Sequence, residues 1–241
     1  MAQGQSWDGT WKLNVAKSHI TGSTFVIEDK GNGMMRQDDG SLAYDFACDG
    51  KPYTMVANRT DTCTGSTESG YDDVIRAGDK VLARQHTTFS ADGKTMTVHE
   101  TGIQPDGTTS EATAVYRRVS GTSGPVGKWM NTKADFPAES SVFIIETKGD
   151  WIKMHDPKNT WSTEGKTDGS NLTLTGPDLQ PGVTRSITRE GTNKLHETIK
   201  RDGKVTTESI QTLSADGKTI VEETWTPGKA DEKLTWVWER Q

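Results

Sequence analysis

The hexapeptide Ser-Ala-Asp-Gly-Lys-Thr occupies residues 90–95 and recurs letter for letter at residues 214–219. In each copy, an Asp-Gly pair lies between runs that have the character of β-strands. This arrangement is typical of a β-hairpin, because glycine adopts a positive φ easily and aspartate bonds to its own backbone. The copies are 124 residues apart (214 minus 90) in a chain of 241 residues, so the sequence predicts two homologous halves.

Further blocks repeat in the same order along the chain. They are Gly9-Thr10-Trp11 with Gly127-Lys128-Trp129, Phe25-Val26-Ile27-Glu28 with Phe143-Ile144-Ile145-Glu146, and Val115-Tyr116-Arg117-Arg118 with Val237-Trp238-Glu239-Arg240. Between the halves, residues 120–125 are rich in glycine and serine and end in proline, as linkers often do. We therefore predict one domain at residues 1–120 and a second at residues 126–241.

The composition is polar for a folded protein, with 31% hydrophobic residues and a mean hydropathy of −0.73. A strand with one solvated face needs apolar residues only at alternate positions, so such a chain can still bury a core. Many short β-type runs, separated by turn signals, predict an antiparallel sandwich or barrel. The predicted fold class is all-β, with two tandem antiparallel barrels. The alternative is one larger barrel or sandwich built from both repeats.

A Gly-x-Trp at the start of the first strand and an arginine at the end of the last strand resemble the lipocalin-like (calycin) β-barrel family. This resemblance implies that the tryptophan closes one end of each barrel and that the arginine packs across its ring. It pairs Trp11 with Arg118 and Trp129 with Arg240, since a planar guanidinium lies well over an indole. The second motif of the family, a Thr-Asp-Tyr turn, has no clear counterpart here. The alternative is that both tryptophans are ordinary core residues.

Charge and hydropathy indicate the class of partner. The net charge is −6 with acidic and basic residues interspersed, which gives no electrostatic footprint for nucleic acid. No apolar run approaches the roughly 18 residues of a membrane-spanning helix. We expect a small-molecule ligand as the partner, with no nucleic acid and no membrane span.

Cys48 and Cys63 match no zinc or redox motif. A disulfide is the expected state, and two free thiols are the alternative. The first residues lack an apolar signal core, which suits a chain whose signal peptide has been removed. Both features favour an exported bacterial protein, periplasmic or secreted.

The second half supplies aromatic side chains suited to a flat or sugar-like ligand inside a barrel. The candidate ligand-binding residues are Trp151, His155, Trp161, Trp225 and Trp236. The alternative is that several of these tryptophans only fill the core.

The first half supplies titratable groups instead. His86 and His99 are symmetric about the Asp92-Gly93 turn, so they are predicted cross-strand neighbours on one face. With Tyr116 from the last strand they form a candidate catalytic acid/base cluster. The alternative is exposed histidines on the outer face. No third ligand accompanies the pair, so we predict no metal site, and no phosphate-binding or dinucleotide motif predicts a cofactor.

The leading functional expectation is the binding of a small, partly apolar ligand in a barrel lumen, without chemistry. The rival is a cofactor-free isomerase, cyclase or hydrolase that uses His86, His99 and Tyr116, which places any catalysis in residues 1–120. A third possibility is a structural module of the cell envelope whose barrels are filled by side chains. The sequence does not decide whether the chain is an enzyme.

Overall fold

The alternating sequence forms strands throughout the computed structural model, which describes residues 6–56, 58–104, 106–135, 141–158, 161–176 and 181–241. Besides the strands, the described residues include single turns of 3-10 helix at Val15–Lys17 and Ala230–Glu232. These ranges contain no α-helix. The predicted all-β class is confirmed.

The strands of the first half of the chain are β1 Gly9–Leu13, β2 Thr24–Gly31, β3 Met34–Asp38, β4 Ala43–Phe46, β5 Pro52–Val56, β6 Arg59–Ser66, β7 Gly70–Ala77, β8 Lys80–Phe89, β9 Thr95–Ile103 and β10 Thr109–Ser120. Those that follow are β11 Gly127–Asp135, β12 Val142–Lys148, β13 Trp151–His155, β14 Ser162–Lys166, β15 Asp168–Asn171, β16 Thr173–Thr175, β17 Val183–Glu190, β18 Lys194–Arg201, β19 Lys204–Leu213, β20 Thr219–Trp225 and β21 Leu234–Arg240.

One antiparallel sheet, which we call the N-barrel, lies within residues 21–135. Its strand order is β4-β3-β2-β11-β10-β9-β8-β7-β6-β5. The two edge strands, β4 and β5, follow each other in the sequence. A disulfide between Cys48 and Cys63 ties the segment that joins them to β6. The sheet is therefore nearly closed, and the predicted disulfide is confirmed.

The other antiparallel sheet, the C-barrel, is built from residues 6–20 and 141–241. Its order is β15-β17-β18-β19-β20-β21-β1-β12-β13-β14-β16. The edge strands β15 and β16 are consecutive in the chain, and between them the backbone N–H of Leu172 donates to the carbonyl of Arg185 at 2.8 Å. The two edge strands thus come from one short, continuous stretch of chain, so this sheet also nearly closes. Two barrels, as predicted, are the architecture.

The barrels do not coincide with the predicted domains 1–120 and 126–241. Strand β1 pairs with β12 and β21, and β11 pairs with β10 and β2. Each Gly-x-Trp strand therefore lies in the barrel formed by the other repeat. The physical reason is the short connection 121–126, which lets β11 fold back directly on β10 as an antiparallel neighbour. The predicted linker is a turn inside the N-barrel.

The arginine–tryptophan stacking predicted from the family resemblance occurs, but with exchanged partners. The guanidinium carbon of Arg118 lies 4.1 Å from the ring centroid of Trp129, and that of Arg240 lies 4.4 Å from the centroid of Trp11. The predicted pairs, Trp11 with Arg118 and Trp129 with Arg240, are wrong. Both tryptophans are fully buried.

The repeated blocks meet at this stacking site in the N-barrel. The Arg118 side chain donates to the carbonyl of Gly93 in the hairpin turn at 2.6 Å. It also donates to the carbonyls of Gly124 at 2.5 Å and Val126 at 2.8 Å, at the entrance to β11. A single side chain therefore binds the repeated hairpin to the Gly-x-Trp strand.

The C-barrel repeats the same set of bonds. Arg240 donates to the carbonyls of Gly217 at 2.7 Å, of Ser6 at 2.6 Å, and of Asp8. Gly9 has φ +145°, and a Cβ built there would lie 2.5 Å from Nη1 of Arg240. The glycine of the Gly-x-Trp motif is thus required by the approach of the arginine.

Each barrel has its own core. In the N-barrel it comprises Ile27, Met35, Tyr44, Phe46, Cys63 and Tyr71. In the C-barrel it comprises Trp7, Trp11, Phe143, Ile145, Ile152, Met154, Leu172, Ile187, Leu195, Leu213 and Ile220.

Candidate ligand cavity in the C-barrel

The C-barrel contains a cavity of about 270 Å³. Its apolar wall is formed mainly by Phe143, Met154, Trp161 and Trp238. Phe143 and Trp238 meet edge to face, with ring centroids 4.6 Å apart. Trp161 is 39% exposed, so the aromatic wall continues to solvent on its side. These walls suit a flat or apolar ligand surface.

The polar side chains of the cavity come from neighbouring strands and are positioned by their register. Gln211 of β19 pairs with Glu222 of β20, which pairs with Trp236 of β21. On β20, Glu222 shares a face with the buried Ile220, so a carboxylate lies at an inward position. Asp156 and Arg185 complete the polar lining.

Arg185, on the polar side of the cavity, forms an ion pair with Glu197. Nη2 of Arg185 lies 2.6 Å from Oε2 of Glu197, and the Glu197 side chain is only 6% exposed. The same nitrogen is 3.7 Å from the sulfur of Met154. A buried pair of this kind compensates each charge, so the guanidinium positive charge is already balanced.

Glu222 is a second, half-buried carboxylate at the cavity. It accepts hydrogen bonds from Nε1 of Trp238 at 3.0 Å and from Nε2 of Gln211 at 3.3 Å. Burial raises the pKa of Glu222, and the nearby Glu197 carboxylate raises it further, while these two donors and Arg185 act in the opposite direction. Both direct partners of Glu222 are neutral.

Two buried polar atoms of the lining have no hydrogen-bond partner within the described part of the chain. They are Oε1 of Gln211, an acceptor, and Nε of Arg185, a donor. Leaving such an atom unpaired costs about 1–3 kcal/mol. A ligand with one hydrogen-bond donor and one acceptor would recover that cost and would be held in a fixed orientation.

The predicted ligand-binding residues divide between the two faces of the sheet. Trp161 lines the cavity, and Trp236 stacks on the cavity residue Trp238, with ring centroids 6.5 Å apart and planes 17° apart. Trp151 and His155 lie on the face opposite the buried Ile152, and His155 Nδ1 is 2.9 Å from the carbonyl oxygen of Asp156.

Trp225 also lies away from the cavity. It belongs to the face of β20 opposite Glu222, where the Nζ atom of Lys233 lies 4.4 Å from its ring centroid. Of the five candidate residues, Trp161 and Trp236 therefore lie on the cavity side, and the other three do not line the cavity. Alternation directs Trp151, His155 and Trp225 away from the cavity-facing side of their strands.

The predicted acid/base cluster is only partly assembled. His86 and His99 are direct cross-strand partners, as expected, and Nδ1 of His86 lies 2.7 Å from Oδ1 of Asp72. Both histidines are exposed, on the outer face of the N-barrel. Tyr116 pairs with Met96 and points to the inner face, where its ring meets Phe25 edge to face at 5.1 Å. Its position three residues from Thr113, the partner of His99, explains the opposite orientation.

The N-barrel instead places two carboxyl groups inside. Asp61 and Asp73 are 2% and 6% exposed, and they stand 124 residues before Arg185 and Glu197 of the C-barrel. The N-barrel has Asp61 at the position of Arg185 in the C-barrel. Its two buried side chains are therefore both carboxyl groups and do not form an ion pair.

The pKa values of these two aspartates reflect that loss. Burial raises the pKa of Asp61 to about 6, although the hydroxyl of Tyr44 donates to its Oδ2 at 3.4 Å. Burial, followed by the charges of Asp61 and Asp72, raises the pKa of Asp73 to about 8.

The sequence-based site omitted Arg185, Gln211, Glu197 and Glu222. A usable signal was present, because Gln211 and Glu222 are symmetric about the second hexapeptide in the way that the two histidines are about the first. Residues two positions apart on a strand lie on the same face. A charged residue that alternates with buried apolar residues is therefore predicted to point inward.

Within the described ranges, no helix is long and apolar enough to cross a membrane. Among the same residues, no group of three or more histidine, cysteine, aspartate or glutamate side chains is placed to hold a metal ion. Comparison of the chain with protein-family models, with curated proteins and with solved structures finds no match.

Proposed function

We propose that the C-barrel binds one small, partly apolar ligand in its cavity, as a lipocalin-like binding protein does. The observation that carries the proposal is the combination of an aromatic wall with buried polar atoms that lack partners. Aromatic surface gives affinity to a flat group, and unpaired polar atoms fix its orientation. A barrel filled by its own side chains would not leave an aromatic-lined cavity.

Two further features support the lipocalin-like assignment. In each barrel an arginine stacks on the tryptophan of a Gly-x-Trp strand, the combination that the family resemblance implies, although the strand comes from the other repeat. The Cys48–Cys63 disulfide supports an oxidising compartment, and we include export to the periplasm or the medium in the proposal.

The proposal is tested with tryptophol, a neutral indole that carries one hydroxyl group and presents a flat ring, a donor and an acceptor. Isothermal titration of the full chain should give saturable binding with one site per chain. Trp161→Ala, which shortens the cavity wall, should weaken tryptophol binding at least fivefold, because the ring loses a contact surface.

Trp151→Ala is the matched control, since Trp151 lies in the same half of the chain but on the face away from the cavity. It should leave the dissociation constant of tryptophol within twofold. Equal losses in the two variants, or binding that Trp161→Ala does not change, would contradict the assignment of the cavity as the binding site.

A further inference from the structure

We infer that the ligand of the C-barrel carries a cationic group, an ammonium, that pairs with Glu222. This inference rests on the proposed ligand-binding function and names the chemical class of the ligand. It follows from the charges around the cavity, from the partners of Glu222 and from the aromatic wall.

The charges around the cavity are unbalanced. Glu222 lines the cavity together with one guanidinium, that of Arg185. Arg185 is already paired with a second carboxylate, Glu197, at 2.6 Å. Two other arginines at inward positions of their strands, Arg189 and Arg201, do not line the cavity. A bound anion would lie beside the charge of Glu222, whereas a bound cation would balance it.

The immediate partners of Glu222 are the side chains of Gln211 and Trp238. An indole and an amide satisfy hydrogen bonds but supply no charge, and a partly desolvated carboxylate with no cation bonded to it is costly. The raised pKa of Glu222 is consistent with that cost. A ligand ammonium supplies the missing charge, and its remaining N–H groups can donate to the unpaired Oε1 of Gln211.

The aromatic wall favours the same chemistry. Trp238 donates its indole N–H to Glu222 and meets Phe143 edge to face, so aromatic rings lie beside the carboxylate. Aromatic faces attract ammonium groups by about 0.5–2 kcal/mol, the larger value where water is excluded. The cavity thus combines a carboxylate and aromatic rings, the two elements that recognise an organic amine.

The test uses three probes that share an indole ring and a two-carbon arm. Tryptamine ends in an ammonium, tryptophol in a hydroxyl and indole-3-propionate in a carboxylate. Isothermal titration of the full chain near pH 8 should show tryptamine binding at least tenfold more tightly than tryptophol. Indole-3-propionate should bind more weakly than tryptophol.

The matched variants are Glu222→Gln and Glu223→Gln, which remove one charge from opposite faces of the same strand. Glu222→Gln should reduce tryptamine affinity at least tenfold and should abolish the preference for tryptamine over tryptophol. Glu223→Gln should leave both affinities unchanged, since Glu223 lies on the other face of β20, 3.9 Å from Nζ of Lys233.

The possible results distinguish failure of the cationic-ligand inference from failure of the proposed ligand-binding function. Binding of tryptophol that equals or exceeds that of tryptamine overturns the cationic ligand and leaves the binding function intact. Tighter tryptamine binding that survives Glu222→Gln also overturns the role of Glu222. Failure of all three probes to bind overturns the proposed function and the inference together.

Discussion

The guanidinium of Arg240 lies over the indole of Trp11, with its central carbon 4.4 Å from the ring centroid, although 229 residues (240 minus 11) separate them in the sequence. The same side chain donates to the carbonyl of Gly217 in the second copy of the hexapeptide hairpin. The contact therefore joins the first strand of the chain, the last strand and the repeated turn into one closure. Arg118 and Trp129 form the equivalent closure of the N-barrel.

The closure predicts which arginine is energetically coupled to which tryptophan. A double-mutant cycle with Trp11→Leu and Arg240→Met should give a coupling free energy of about 0.5–2 kcal/mol, as expected for a stacked cation. The cycle of Trp11→Leu with Arg118→Met should be additive within about 0.5 kcal/mol, because Arg118 stacks on Trp129 instead.

Urea unfolding at equilibrium provides the free energies for both cycles. A coupling for Trp11 with Arg118 that exceeded the coupling for Trp11 with Arg240 would contradict the observed pairing. It would support the within-repeat pairing that the family resemblance implied.

The exchanged first strands also predict which fragments fold. Residues 21–135 contain every strand of the N-barrel, β2 to β11, whereas residues 1–120 lack β11, so β2 and β10 each lose the partner on one side. Fragment 21–135, with its disulfide formed, should unfold cooperatively in urea when followed by circular dichroism. Fragment 1–120 should show no cooperative transition, and one with the same midpoint as 21–135 would contradict the pairing.

Sequence patterns predicted the architecture because local physics determines it. Alternation and turn signals predicted many of the strands, and the Asp92-Gly93 turn located a hairpin with His86 against His99. Strands β6 and β15 were not predicted, since β6, Arg-Thr-Asp-Thr-Cys-Thr-Gly-Ser, resembles a turn-rich segment and β15 is Asp-Gly-Ser-Asn. The inward residues of β6, Asp61 and Cys63, are nevertheless buried.

The repeated sequence blocks alone could not predict the exchange of strands between the barrels. When two copies share the same blocks, β1 and β11 carry equivalent motifs, so the motif does not say which arginine covers which tryptophan. The length of the connection between β10 and β11 decides it, because six residues are enough for two antiparallel neighbours and the chain need not cross to another barrel.

The interior of the N-barrel predicts a pH dependence of stability. In the folded state the pKa of Asp73 is raised to about 8 from its ordinary value of 3.8, so the folded state holds a proton that the unfolded state releases. The resulting stabilisation is complete below pH 3.8 and is lost as the pH rises through about 8. Asp73→Asn should remove the loss of stability near pH 8, leave the loss due to Asp61 near pH 6, and raise the urea midpoint of the N-barrel above pH 8.

Asp72→Asn is the control, because Asp72 is exposed on the opposite face of β7. It should leave most of the pH dependence in place. If Asp73→Asn unfolded with the same pH profile as the parent chain, the buried carboxyl would not be the source of the dependence.

The disulfide predicts a further contribution to the stability of the N-barrel. Cys48 and Cys63 are separated by 15 residues, and closing a loop of that size stabilises a fold by about 3 kcal/mol. Replacing both residues with alanine should lower the free energy of unfolding by about this amount. Thiol titration of the denatured, unreduced parent should find no free thiol, and two titratable thiols would show that the bond does not form.

The most direct test of the cavity assignment is a crystal structure of the full chain soaked with tryptamine. The indole should lie against Trp161 and Trp238 in the C-barrel, with the ammonium nitrogen about 3 Å from the carboxylate oxygens of Glu222. Tryptamine bound with its ammonium turned away from Glu222, or held only outside the C-barrel, would contradict the account.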